Sequence, residues 1–283
     1  MHSKKLIYSE ILSKKFNSQI YLKPEWYGET GSHKDMWAKS VIKTVLKRGF
    51  NKVVTMSSGN QGLALAAQAK KYNLPCIVLA LKKIHKKYVL LFQKYKAQLI
   101  LAKSPSECSR KFNSFVKKGY FPCSLTLQQR ISKETIGIEG YKEISKEIVH
   151  LLGKNPDMLI IPTCYGDLAE GILQGFIDLK KSRLIKKIPQ FILARAKSPK
   201  GDIAFSISTN TLTRYVKNVL QKTKGKSVFL INDDFINAKV YAKKELNLNL
   251  EYASAGSIAV LNKLNKKEIE NKIIVCILTA RDR

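Results

Sequence analysis

Short apolar runs alternate with amphipathic stretches along most of this chain, and that alternation constrains the fold more than any other feature. The runs at residues 52–57, 75–81 and 97–102 have the length and β-branched content of strands. Residues 61–72, 86–96 and 104–118 instead repeat apolar side chains at helical spacing. A second series follows, with helix 140–152, strand 157–162, helix 168–180, strand 190–194, a helix near 210–221 and strand 227–231. Helices at 234–246 and 254–264 then lead to a last strand at 272–278. Strand followed by helix, repeated, predicts parallel sheet covered by helices on both faces. Two such series predict two α/β lobes, with residues 118–133 as the expected passage between them.

Composition sets the class. At 283 residues and 45% hydrophobic content, the chain can bury a substantial core. No apolar run approaches the roughly 20 residues of a membrane-spanning helix, and the first residues lack the apolar stretch of a secretion signal. A cytoplasmic protein without a membrane partner is expected. The five cysteines, Cys76, Cys108, Cys123, Cys164 and Cys276, are scattered, so neither a disulfide framework nor a metal site is expected. The net charge of +30 invites a nucleic-acid reading. The charge is overwhelmingly Lys, however, is spread along the whole chain, and accompanies abundant Ile and Asn, as an AT-rich genome would produce. It reads as a solvated surface with no specific nucleic-acid partner, whose field favours anionic substrates, phosphorylated amino acids among them.

Four stretches carry candidate chemistry. In the first, a Thr30-Gly31-Ser32 turn leads through His33 to Lys34 at the start of a helix expected over residues 35–47. A lysine desolvated beside backbone N–H groups can act as a nucleophile toward an aldehyde cofactor, although a lysine in a first turn is more often merely solvated. The second, Ser57-Ser58-Gly59-Asn60-Gln61-Gly62, joins a parallel strand to a helix, where open α/β sheets bind ligands. Its glycines allow close backbone approach, and its hydroxyls and amides suit a carboxylate, phosphate or phenolate; an ordinary tight turn is the alternative. The third, Thr163-Cys164-Tyr165-Gly166-Asp167-Leu168, lies at another strand-to-helix junction suited to phosphate. The fourth, around Thr279, ends the last strand.

In this order, the four stretches resemble pyridoxal-phosphate enzymes of the tryptophan-synthase-β-like fold (fold type II), and within them threonine synthase and its relatives most. The resemblance covers nearly the whole chain and implies two lobes of parallel-type sheet covered by helices. Residues 1–32 and 129–283 would form the larger, cofactor-binding lobe, and residues 33–128 a smaller, mobile lobe carrying the asparagine loop. It implies pyridoxal 5'-phosphate as cofactor, with Lys34 as the Schiff-base lysine and catalytic residue. His33, by similarity to the Gly-x-His-Lys arrangement of the tryptophan synthase β chain, would lie by the cofactor phosphate. Asn60 would meet the phenolic oxygen, and Ser57, Ser58, Gly59, Asn60 and Gln61 would surround the substrate carboxylate. Thr163, Cys164, Tyr165, Gly166, Asp167 and Leu168 would hold the phosphate, and Thr279 would face the pyridine nitrogen.

Departures from the family pattern bear on substrate choice. Cys164 and Tyr165 stand where glycine or small residues are usual, Met36 where an Arg commonly follows Lys-Asp, and Ala280 where a Gly follows the late Thr. The reaction implied is a lyase or synthase reaction by β- or γ-elimination or replacement on an amino acid, threonine-synthase-like. A serine/threonine ammonia-lyase or a cysteine-synthase-like β-replacement enzyme is the alternative. A degenerate relative that binds a ligand without catalysis is the alternative of another class. A homodimer is the assembly usual in the family.

Overall fold

The structure is a computed structural model that describes residues 5–124, 136–197, 203–209 and 211–282. The chain opens with β1 (Ile7–Tyr8), α1 (Glu10–Phe16) and β2 (Gln19–Pro24), then α2 (Lys34–Lys47), β3 (Val53–Met56), α3 (Asn60–Lys71) and β4 (Cys76–Leu81). It continues through α4 (Lys86–Lys94), β5 (Gln98–Ala102), α5 (Pro105–Lys117) and β6 (Phe121–Pro122) to a 3₁₀ turn at Ile138–Tyr141. Then come α6 (Lys142–Leu152), β7 (Met158–Pro162), α7 (Asp167–Lys181), β8 (Gln190–Ala196), α8 (Arg214–Thr223) and β9 (Lys226–Leu230). Helices α9 (Asn232–Glu245), α10 (Tyr252–Leu261) and α11 (Lys266–Ile269) precede β10 (Ile273–Leu278).

Two compact units result, Met1–Tyr27 with Tyr141–Arg283, and Gly28–Gly140. The lobe boundary expected at residues 128 and 129 lies outside the described residues.

In the first unit the strands run in the order β1-β2-β10-β7-β8-β9. Every pairing is parallel except that of β1 with β2, where Ile7 lies opposite Leu22. Strands buried on both faces must be apolar throughout, and β7 (MLIIP) and β10 (IIVCIL) are. Helix α10 is buried around its whole circumference, its two serines included, and packs inside the core against Ile160, Ile192 and Ile274. In the second unit the order is β5-β4-β3-β6, all parallel, over a core of Val54, Ile77, Leu79 and Phe112. The α/β architecture with two helix-covered sheets is thus present. No helix of the described residues is long and apolar enough to cross a membrane.

Several elements differ from expectation. Strand β2 had no counterpart in the expected series, because its buried Lys23 and its Pro24 interrupt the apolar signal. Residues 121–122, expected within the passage between lobes, form β6, which pairs with β3 through Val53 and Val54. Helix α8 starts at Arg214, not near 210, because the Thr213 hydroxyl caps it by accepting the Val216 N–H at 3.3 Å. The helix expected from 140 begins at Lys142, after the 3₁₀ turn.

Candidate active site

The turn before α2 is built around one carboxylate. Asp35 is buried, and its two oxygens accept from the Thr30 N–H at 2.9 Å and the Thr30 hydroxyl at 2.7 Å. Burial pushes the Asp35 carboxyl above its usual range, while the Thr30 and Ser32 hydrogen bonds act against that rise. Gly31 adopts a left-handed φ of 69°, which turns the chain between Gly28 and Ser32. Gly28 is the residue the carboxylate requires, since a Cβ there would lie 2.2 Å from Asp35 Oδ2. The turn presents half-buried Lys34 as the first residue of α2, with half-buried His33 before it. Gly137 and Gly140 hold the far side of that helix close, because a Cβ at Gly137 would lie 2.3 Å from the Trp37 ring and one at Gly140 2.4 Å from the Met36 carbonyl oxygen.

In the same unit, the loop from β3 into α3 folds on the Ser57 hydroxyl. That oxygen accepts from the Gly59 N–H at 3.4 Å and the Gly62 N–H at 3.0 Å. Buried Ser124 closes the end of β3 by accepting the Met56 N–H at 2.6 Å. The Asn60 side-chain oxygen accepts from the Tyr88 hydroxyl at 3.1 Å. Gln61 Nε2 donates to the Cys123 carbonyl at 3.5 Å. Ser58 is exposed, and Gly59 is the N-cap. Helices α2 and α3 pack side by side, so Lys34 and the Ser57–Gln61 loop belong to one unit.

Thr163, Cys164, Tyr165, Gly166, Asp167 and Leu168 belong to the other unit, at the carboxyl end of β7. Thr163 Oγ1 accepts the Gly166 N–H at 3.1 Å. Gly166, with φ at 87°, is the N-cap of α7 and offers no side chain to the helix's first N–H groups. A Cβ there would lie 2.9 Å from the Val216 amide nitrogen, so glycine is required for fit as well as for φ. Cys164 Sγ donates to the Ser208 carbonyl at 3.6 Å, and the Thr213 hydroxyl to the Tyr165 carbonyl at 2.6 Å. Buried Thr279 is the first residue after β10, which pairs in parallel with β7, so Thr279 and Thr163 share the carboxyl edge of one sheet. Such an edge is where open parallel sheets bind ligands.

The arrangement fits pyridoxal phosphate. A fifteen-residue helix begins at a left-handed glycine with no capping side chain, as a phosphate dianion needs. The positions of Asp35, Tyr88, Ser124 and Arg195 around these loops were not read from sequence. Only Asp35 gave a local signal, as the end of the Thr30–Asp35 motif, since the partners of the others lie farther along the chain.

Comparison with known proteins agrees with the fold and the cofactor. The threonine synthase of Mycobacterium bovis is 26% identical over 273 residues, covering 91% of this chain and 74% of the relative. A pyridoxal 5'-phosphate-dependent aspartate racemase superposes with a TM-score of 0.82 at 20% identity, over 99% of this chain and 90% of its own. The serine racemase of Dictyostelium discoideum gives 0.82 at 19% identity, over 100% and 93%. These two share the fold. The family described as pyridoxal-phosphate dependent enzyme matches residues 3–280, and the chain therefore belongs to that family, with pyridoxal 5'-phosphate as its cofactor.

Proposed function

We propose that the protein is a lyase or synthase that eliminates or replaces a group at the β or γ carbon of an amino acid, with threonine-synthase-like use of a phosphorylated homoserine as its leading reaction. The observation that carries this reading is Thr279. A buried hydroxyl, not a carboxylate, follows the end of β10 beside the phosphate-type loop. A hydroxyl facing a pyridine nitrogen does not hold it protonated, which favours elimination and replacement over transamination.

When bound, the cofactor supplies an electron-withdrawing ring that stabilises negative charge at the substrate's α-carbon. The chain's own residues would do the rest. Lys34 would hold the cofactor covalently and, once released by the substrate's amino group, carry the α-proton on Nζ as general base. Asp35, through Thr30, keeps that lysine at the mouth of its turn. Asn60 would donate its amide N–H to the phenolic oxygen, while Ser57, Ser58 and Gln61 hold the substrate carboxylate. The Thr163–Leu168 loop would take the phosphate, with His33 adding an imidazole to it. The +30 net charge raises the local concentration of doubly anionic substrates. A homodimer in the cytoplasm completes the proposal.

The test is a screen of the cofactor-loaded protein against amino acids and their O-phospho and O-acyl derivatives, by absorbance and product analysis. Threonine and inorganic phosphate from O-phosphohomoserine support the leading reaction. Keto acids from serine or threonine alone move the assignment to an ammonia-lyase. A bound cofactor with no spectral response to any amino acid refutes catalysis and leaves a ligand-binding relative.

A further inference from the structure

Arg195 is 2% exposed and stands in β8, directly opposite Phe229 of β9. Side chains alternate along a strand, so it shares a face with Phe191, whose ring rests on Phe176 of α7 at 6.0 Å. Arg195 therefore lies on the α7 side of the sheet. It also lies at the carboxyl end, because Ala194 pairs with Pro162 and accepts the Thr163 N–H at 3.1 Å. One guanidinium nitrogen donates to the carbonyls of Thr209 at 3.0 Å and Thr211 at 2.8 Å. The Phe229 ring centroid is 5.1 Å away, and Nε has no acceptor.

No carboxylate among the described residues pairs with this guanidinium. Arginine cannot shed its proton at any ordinary pH, and an uncompensated buried charge is strongly destabilising. Burial pulls the Arg195 guanidinium below its usual value, and the one group opposing that is Cys164, the second residue of the loop at the α7 N-terminus. The segment that Arg195 ties is the one that clamps this loop. Ser208 accepts from Cys164, and Thr213 donates to Tyr165. Cys164 and Tyr165 are the two positions where the loop lacks the usual small residues.

We propose that Arg195 is a positioning residue and buried countercharge for a phosphate-monoester dianion at the Thr163–Leu168 loop. Through Thr209 and Thr211 it holds Ser208 and Thr213 against Cys164 and Tyr165, and it contributes the positive field that the dianion neutralises. The inference rests on the reading of that loop as the phosphate-holding element. The dianion is the cofactor's phosphate or that of a phosphorylated substrate, which are the same chemistry from two sources.

The experiment compares full-length wild-type protein with Arg195→Gln, both stripped of cofactor, in titrations with pyridoxal 5'-phosphate and with pyridoxal, followed by absorbance. The wild type should prefer the phosphorylated form strongly, and R195Q should lose that preference by about tenfold or more while binding pyridoxal as before. A second arm compares spectral responses of the loaded proteins to O-phosphohomoserine and homoserine. Loss of preference there alone supports the dianion role and assigns it to the substrate. Unchanged preference in both arms overturns the proposal while leaving the family reading intact. Failure of the wild type to distinguish the two cofactor forms overturns the reading of the loop itself. Should R195Q not fold, the wild-type Arg195 ¹⁵Nε resonance, identified by its absence from Arg195→Lys, is followed during titration with inorganic phosphate. A shift supports the proposal, and a stationary resonance overturns it.

Discussion

The hydroxyl of Tyr88 donates to the side-chain oxygen of Asn60 at 3.1 Å, and this bond constrains the orientation of the Asn60 amide. With the oxygen held by Tyr88, the NH₂ end is the one suited to donate to a phenolate oxygen in the proposed site. Tyr88→Phe removes the constraint without changing packing. Its absorption maximum should move in the same direction as that of Asn60→Ala but by less. Turnover should fall about two- to tenfold, the value of one neutral hydrogen bond. Spectra of the loaded variants and steady-state rates check this, and a Tyr88→Phe protein identical to wild type would show that the amide is oriented by other contacts.

Lys34 begins α2 from a turn whose geometry is fixed by Asp35 and Gly28, so removing its side chain leaves the turn intact. Lys34→Ala should abolish covalent cofactor attachment while shifting the unfolding midpoint little. Borohydride reduction and peptide mapping of the wild type should place the label on the peptide containing Lys34. Label on any other lysine would refute the assignment.

Legibility in the sequence followed the range of the interactions. Strands such as Met158–Pro162 and Ile273–Leu278 are continuous apolar runs because both faces are buried, and a run of neighbours is visible in one dimension. Strand β2 was not visible, since its Lys23 is tolerated in the core only through Glu25 and the distant Glu147. The loops at Lys34, Asn60 and Gly166 were legible because each concentrates small and polar residues at a strand or helix boundary. The residues that brace them were not. Tyr88 reads as one more apolar position on amphipathic α4, and Arg195 as one more basic residue in a chain of net charge +30. Only the folded chain brings Tyr88 to Asn60, and Arg195 to the segment that clamps Cys164.

Gly28 offers a test of the Lys34 turn. An added Cβ would sit 2.2 Å from Asp35 Oδ2 and 2.7 Å from Asp35 Cβ, so Gly28→Ala must displace the carboxylate or the turn. The cost should be about 1–3 kcal/mol, the usual range for overpacking a close contact. Displacing Asp35 also breaks its two bonds to Thr30, so cofactor affinity should fall together with stability. Urea denaturation and a cofactor titration of the variant measure the two effects. Full stability with full affinity would mean that the turn does not depend on this approach.

The buried cluster at the end of β2 predicts how stability varies with pH. Lys23 Nζ lies 2.6 Å from Glu25 Oε1 and 2.8 Å from Glu147 Oε2, and all three side chains are withdrawn from water. Two carboxylates share one ammonium, so full ionisation leaves a surplus negative charge in the core. Burial accordingly pushes the Glu25 carboxyl from 4.5 up to about 7, with Glu147 adding to the rise and Lys23 opposing it. The unfolded chain releases this proton near the ordinary value, whereas the folded chain keeps it until near neutrality. Between those limits the folded state binds more protons, and stability must fall as pH rises, levelling off above about pH 7. The Lys23 ammonium, raised by its two acidic partners net of its own burial, loses its contribution only in the alkaline range and does not enter this window. The total change from Glu25 is on the order of 3 kcal/mol. Glu25→Gln keeps the shape and an acceptor for Lys23 but has no proton to lose, so its stability should lack this component. Urea unfolding of both proteins between pH 5 and pH 8 isolates the component as a difference, because the other titrating groups are common to both. The variant should gain on the wild type as pH rises to about 7 and little beyond it, and parallel pH profiles would show that Glu25 is ionised throughout.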